Sequence, residues 1–348
     1  MHRPDAPPPT LRLRIDEEAL ASNWRTLDRL SGSARAGAAV KADAYGLSAA
    51  KVIPVLRDAG ANDFFVAHWG EVGELLDHVP ASRISVLHGP ANAQDSAYAR
   101  ALGVRPVINS LHQAKVWIEC GGGPCDLMID TGMNRLGVRP EELGDPLAGR
   151  LEIETALSHL ASADEDSALN PLQLSRATQA FAAVSAKERS LANSAGIALG
   201  KDYAFDLTRP GLALYGGVPR GELAGSIRQV VTPEAAILQV RTVQPGETIG
   251  YNATFTADRP VRAGIVSIGY ADGFLRCWSG KGVLRAGEAD LPLLGRVSMD
   301  MAVIDLSQAP HLREGDWVEI PWHLPEAAAR SGLSQYELLT TLGHRFSR

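Results

Sequence analysis

Cysteine is scarce. Cys120, Cys125 and Cys277 are the whole supply, with no CxxC pair and no histidine set beside them. That excludes a disulfide framework and a zinc pattern, and leaves scattered thiols of the kind a reducing compartment permits. No stretch reaches the roughly eighteen uninterrupted apolar residues of a membrane span, and the opening "MHRPDAPPPTLRLRID" has no apolar signal core. A cytoplasmic protein with no membrane partner is expected. Basic charge is in deficit as well: 34 Lys and Arg stand against 40 Asp and Glu, a formal net charge of −6. Nucleic acids and anionic membranes usually require a basic patch, so a small-molecule partner is the better default. No sequence repeat stands out beyond the alternation described next.

What the chain has in quantity is short apolar runs. "AGAAVK", "DFFVAH", "RISVLHG", "RPVINS", "CDLMID", "EIETALSHL", "RSLANSAG" and "FDLTRPG" follow one another, and helical spacing fills most of the gaps, as in "SAAKVIPVLRDAG", "GEVGELLDHV" and "LHQAKVWIECGG". An earlier helix is marked by Leu20, Trp24, Leu27 and Leu30 on one face. Strand alternating with helix implies parallel pairing, and about eight such units is the number that closes a (β/α)8 TIM-type barrel. An open doubly wound sheet is the alternative. After about Gly225 the texture turns β-rich, with "AAILQVRTV", "VRAGIVSIGYA", "LPLLGRVSMDMAVIDL" and "DWVEIPW" separated by "QPGE", "ADRP" and "REGD". The expected domains are a Pro-rich tail over residues 1–10, a barrel over 11–224 and a second, mainly β C-terminal domain over 225–348. The last would finish on a helix "SQYELLTTLG", capped by Ser334 and ended by Gly343.

Polar residues fall where a barrel would use them. Lys41, His68, His88, Asn109, Asp130, His159, Ser194 and Arg209 each stand at or just past the end of a predicted strand. In a closed barrel those ends share one rim, which is where this fold carries its active site. Each alone could be a structural residue. Lys41 could be a solvated strand end, or a desolvated amine that attacks carbonyls.

The ordered set "KADAYG", "TGMNRLGV", "LSHLASAD", "LANSAG", "RPGLALYG", "GYNATF", "GYADG" and "GRVSMD" resembles the alanine racemase family, whose members are pyridoxal-phosphate enzymes built from a barrel and a β-domain. The resemblance runs from about Leu11 to near the C-terminus. It implies that Lys41 carries pyridoxal 5'-phosphate covalently and serves as one of two catalytic bases. Tyr45, Ser194 and the backbone amides of Gly211 and Leu212 would hold the cofactor phosphate. Arg209 would face the pyridine nitrogen and leave the ring uncharged, which limits electron delocalisation and suppresses transamination. Tyr251 would be the second base, linked through His159 to Arg209. Arg135 and the backbone of Met299 would bind the substrate carboxylate, and Tyr270 with Asp272 would line a narrow entrance. No metal is called for. In the family the β-domain covers the barrel mouth of the other subunit, so a homodimer with shared active sites is implied.

The match departs from the family at three places. Met128 replaces a lysine that several members carbamylate to hold the arginine, so Arg135 must be oriented by something else. Leu47 replaces a histidine after "AYG". His344 stands where a tyrosine often touches the phosphate, and is a further cofactor contact by resemblance. The implied activity is interconversion of L- and D-alanine, supplying D-alanine for peptidoglycan. A racemase for serine or a broader amino-acid set, an amino-acid decarboxylase of the same plan, and a non-catalytic cofactor carrier are the alternatives. The residues do not by themselves distinguish a biosynthetic from a catabolic role.

Overall fold

The apolar runs become strands because parallel strands buried on both faces need continuous rather than alternating hydrophobicity. The computed structural model of the chain describes residues 7–347, so the expected tail lies outside the described residues as far as residue 6. The chain divides into two compact units, one spanning Glu17–Arg228 and the other joining the chain up to Asp16 with everything from Gln229 onward.

Strand β1 (Leu11–Ile15) belongs to the second unit. In the first, β2 (Arg35–Ala36) and β3 (Ala38–Ala39) are halves of one strand interrupted at Gly37, where an added Cβ would lie 2.8 Å from Asp63 O. A parallel sheet then runs from β3 through β4 (Phe64–Val66), β5 (Ile84–Val86), β6 (Arg105–Ile108), β7 (Pro124–Met128) and β8 (Glu152–Leu157) to β9 (Ala186–Ser190). β10 (Leu207–Thr208) closes the ring. It pairs in parallel with β2, while Asp206 N–H donates to Arg189 O within β9 and Arg209 N–H to Ala192 O just past it. Counting β2 and β3 as one, the seven-stranded sheet plus β10 makes eight strands. This is the closed (β/α)8 form, not the open sheet.

Helices alternate with these strands, several with side-chain caps. Asn92 accepts from Gln94 and Asp95 N–H before the helix Ala93–Leu102, and Ser110 from Gln113 N–H before Leu111–Glu119. The helix Glu17–Leu30 buries Leu20, Trp24 and Leu27 as expected, but Leu30, its last residue, is exposed. The barrel interior holds a polar layer. Asp126 on β7 accepts from Ser85 Oγ at 2.6 Å and Thr155 N–H at 3.1 Å, with Arg105 Nε 3.8 Å away.

The second unit is organised by β11 (Val231–Val243), long enough to serve two neighbourhoods. Its first part pairs antiparallel with β1, Leu11 opposite Ala235, and its last part with β14 (Val261–Val266) across a bulge between Ile237 and Gln239. The small hairpin of β12 (Thr248–Ile249) and β13 (Phe255–Thr256) branches off. The hairpin of β15 (Val283–Ala286) and β16 (Ala289–Pro292), with β17 (Ala302–Asp305) and β18 (Trp317–Glu319), completes the sheet. Here the expected boundary shifts: residues 11–16, assigned to the barrel from their place in the chain, sit in the β unit because their partners come from β11. The final helix is Gln335–Thr340, with Ser334 and Glu337 forming a capping box. It stops short of Gly343, whose N–H donates to Asp272 O instead.

Candidate active site

Lys41 follows β3 by two residues, and the chain then turns with the wrong hand. Ala42, Asp43, Ala44 and Tyr45 have φ between 53° and 57°, a left-handed turn that costs L-residues roughly 1–2 kcal/mol each. It is pinned from several sides. Ala44 N–H donates to Val40 O at 2.9 Å, Ala49 N–H to Asp43 Oδ1 at 2.7 Å and Ala42 N–H to Glu71 Oε1 at 2.5 Å. The Lys41 ammonium is disfavoured chiefly by burial, then by the charge of Arg135 and less by Arg209, while Glu71 opposes the shift. An amine kept short of protons is a competent nucleophile and base.

The turn packs the Tyr45 ring against Tyr215, centroids 4.8 Å apart, and brings its hydroxyl to Gly211, where a Cβ would lie 2.3 Å from the oxygen. Only glycine fits there. Ser194 Oγ accepts from Gly211 N–H at 2.9 Å and Ala213 N–H at 3.2 Å. With both lone pairs engaged, its own hydrogen is left to donate outward. Tyr45 and Ser194 hydroxyls thus meet around Gly211, a cradle suited to an anionic group. Gly211 contributes the space rather than its amide, which is already taken by Ser194.

Arg209 is buried and fully engaged on one side. Its Nη1 donates to Ser190 Oγ, and its Nη2 donates to Ser158 O at 2.5 Å and lies 3.5 Å from His159 Nδ1. Burial lowers its pKa to about 10, so it stays charged at neutral pH. His159 is driven down to about 3 by burial first, then by Arg209, Arg135 and Lys41. A neutral imidazole whose Nδ1 faces a permanent donor must accept there, which assigns its proton to Nε2.

Asn109 and Asp130 serve the scaffold. Asn109 Nδ2 donates to Leu87 O and Val107 O. Asp130 Oδ1 accepts from the N–H groups of Gly132, Met133 and Asn134, shaping the loop that leads to Arg135. Arg135 itself is exposed. Met128, where a lysine was missed, packs with Val107 and Leu157 in an apolar cluster and offers nothing polar to orient it. His68 and His88 stack edge to face, centroids 4.1 Å apart. Sequence reading missed Glu71, although its position three residues after His68 is the spacing of a capping box.

In the second unit Tyr251 is 65% exposed, on a turn where Asn252 and Ala253 also have positive φ. Met299 is exposed, and its carbonyl accepts from Ala271 N–H at 3.0 Å. Tyr270 stacks under Arg276. Asp272 does not line an opening as expected. It is 1% exposed, accepts from Gly269 N–H, and forms a two-point ion pair with Arg345 at 2.6 and 2.8 Å. A carboxylate so engaged holds the C-terminal segment in place. His344 is exposed in that segment.

Fold and site together define a class: a (β/α)8-barrel enzyme with a desolvated lysine just past a strand end, hydroxyls gathered around Gly211, and a mainly β domain. The family models for the N-terminal domain and the C-terminal domain of alanine racemase match residues 15–219 and 230–348. The chain belongs to the alanine racemase family. The alanine racemase of Methylobacterium nodulans is 42% identical over 97% of this chain and 95% of its own. The biosynthetic alanine racemase of Agrobacterium fabrum is 40% identical, over 97% and 93%. The crystal structure of alanine racemase from Bartonella henselae, which has covalently bound pyridoxal phosphate, superposes with a TM-score of 0.89 at 35% identity over 98% of this chain and 99% of that one. The biosynthetic enzyme of Pseudomonas aeruginosa superposes equally, at 34% identity.

Proposed function

We propose that this protein interconverts L- and D-alanine with pyridoxal phosphate as cofactor and two bases, Lys41 and Tyr251. The observation that carries the reading is the conjunction of a desolvated Lys41 amine with a hydroxyl-lined cradle around a glycine that could not be any other residue. The residues fit the cofactor: Lys41 would hold it covalently, Tyr45, Ser194 and the Leu212 amide would take its phosphate, and Arg209 would donate to its ring nitrogen. When bound, the cofactor withdraws electrons from Cα of the amino acid and so acidifies its proton.

The chain supplies the rest. Lys41 Nζ takes or returns the proton on one face of Cα. Tyr251 serves the other face, and a free phenol near pKa 10 needs help to do so. His159 provides it, because its Nδ1 is turned to Arg209 and its Nε2–H is left to stabilise a phenolate. Arg135 binds the substrate carboxylate, assisted by the Met299 backbone. Tyr270 narrows the approach, and His344 is a further contact for the phosphate.

Tyr251 lies on a unit that also exposes Leu238, Met299 and Met301. We take that apolar set as the face of a homodimer in which each Tyr251 serves the partner's Lys41. The unpaired thiols of Cys120, Cys125 and Cys277 favour a cytoplasmic enzyme, and its use would be to supply D-alanine for peptidoglycan. Incubating the purified protein with pyridoxal phosphate and L-alanine should yield D-alanine by chiral separation, with L-serine turned over more slowly. Lys41→Ala should abolish the reaction; a Lys41→Ala protein of full activity would end the proposal.

A further inference from the structure

The last ladder bond on the path to Lys41 is Val40 N–H to Phe65 O, at 2.9 Å. Beyond it β3 has no further rung to β4, yet the lysine must be aimed and a left-handed turn must be held. Glu71 fills the gap. Its Oε1 accepts from Ala42 N–H at 2.5 Å, and its Oε2 accepts from Ala67 N–H at 2.7 Å and His68 N–H at 3.0 Å. One half-buried carboxylate therefore ties the residue after Lys41 to the end of β4, as a side-chain rung in place of a backbone one.

We infer that Glu71 is a positioning residue for Lys41, fixing the start of the strained turn and hence the direction of the amine. The inference rests on the reading of Lys41 as the reactive lysine. A purely structural role, capping the short turn at Trp69–Glu71, accounts for the Oε2 contacts and leaves the bond to Ala42 without purpose.

Glu71 also acts through charge. Of the groups that bear on Lys41, Arg135 and Arg209 disfavour its protonation and Glu71 favours it. The neighbouring His88 and His159 are both held below the ordinary histidine value, His88 mainly by burial and the His68 ring and His159 mainly by burial and Arg209. Removing Glu71 should then move the protonation of Lys41 to lower pH. Loss of aim should appear in turnover rather than in substrate affinity, since a displacement near 1 Å can cost about a hundredfold in rate.

Two variants of the full-length enzyme separate these effects. Glu71→Gln removes the charge and one of the two acceptors; Glu71→Asp keeps the charge and is too short to span both sides. Both should lose about 10- to 100-fold in kcat with KM for alanine changed by less than about threefold. Full-length protein freed of cofactor is then treated with trinitrobenzenesulfonate across a pH series, and Lys41 modification is followed by peptide mass. In Glu71→Gln the midpoint for Lys41 should fall, while that of the exposed Lys51 stays; in Glu71→Asp the Lys41 midpoint should stay near the parent value. Glu71→Gln with unchanged kcat and unchanged midpoint, whatever its melting temperature, overturns the inference. If Glu71→Gln does not fold, wild-type kcat in Glu71→Asp overturns it instead. A shifted midpoint in a protein that never racemised alanine would sink the proposed reaction and, with no turnover to lose, the positioning role with it, leaving only a charge contact between Glu71 and Lys41.

Discussion

His159 shows what the site costs at the level of single residues. Its folded pKa of about 3 lies below the ordinary value near 6.5. The unfolded chain therefore binds a proton that the folded one refuses, and stability is lost as pH falls from about 6.5 towards 3. The residue is only part-buried, so the loss should be about 2 kcal/mol rather than the full value of the shift. His159→Gln, which cannot take that proton, should flatten the fall in melting temperature between pH 6.5 and pH 4 measured by calorimetry. An unchanged slope would mean that other groups carry the acid lability. Residue by residue, the positions of Lys41, Ser194 and Arg209 just past β3, β9 and β10 were legible because they follow apolar runs. Glu71 was not, since its partner Ala42 is 29 residues away and no local pattern signals a side chain standing in for a ladder bond. Asp272 misled for a related reason: "GYADG" says nothing of Arg345, which buries it.

At the level of elements, β4, β5 and β6 could be read because both their faces are covered, so each is fully buried. By contrast β9, "AKERS", alternates part-buried and exposed positions, and the apolar run read there begins only at its end. β1 could not be placed, because "LRLRI" announces a strand and not which sheet receives it, and its partner is more than 200 residues along the chain. The left-handed turn was equally silent: positive φ is usually signalled by glycine or asparagine, and here it falls on two alanines, an aspartate and a tyrosine. The polar layer inside the barrel was also hidden within "CDLMID". Asp126 accepts from Ser85 and Thr155 and faces Arg105, and burial pushes its own pKa up against the pull of that arginine. Asp126→Ala leaves those donors and the Arg105 charge with fewer partners, and should cost about 3 kcal/mol of stability by urea unfolding. Asp126→Asn, which keeps an acceptor and the volume, should cost less than half as much.

For the whole molecule, the decisive feature is that the two proposed bases belong to different units, Lys41 to the barrel and Tyr251 to the β unit. On the proposed assignment, neither unit alone carries both bases needed to move a proton from one face of Cα to the other. An exposed tyrosine on a turn would mean little by composition alone; it acquires meaning on the proposed reading, in which His159, its Nδ1 turned to Arg209, supports the phenolate. The most direct test is the Tyr251→Phe enzyme loaded with pyridoxal phosphate and given each alanine enantiomer in D2O, with Cα deuterium and optical activity followed together. The two-base account predicts that wild type racemises with deuterium incorporation, while Tyr251→Phe exchanges the proton of one enantiomer and yields almost none of the other. Racemisation by Tyr251→Phe at the wild-type rate would contradict it.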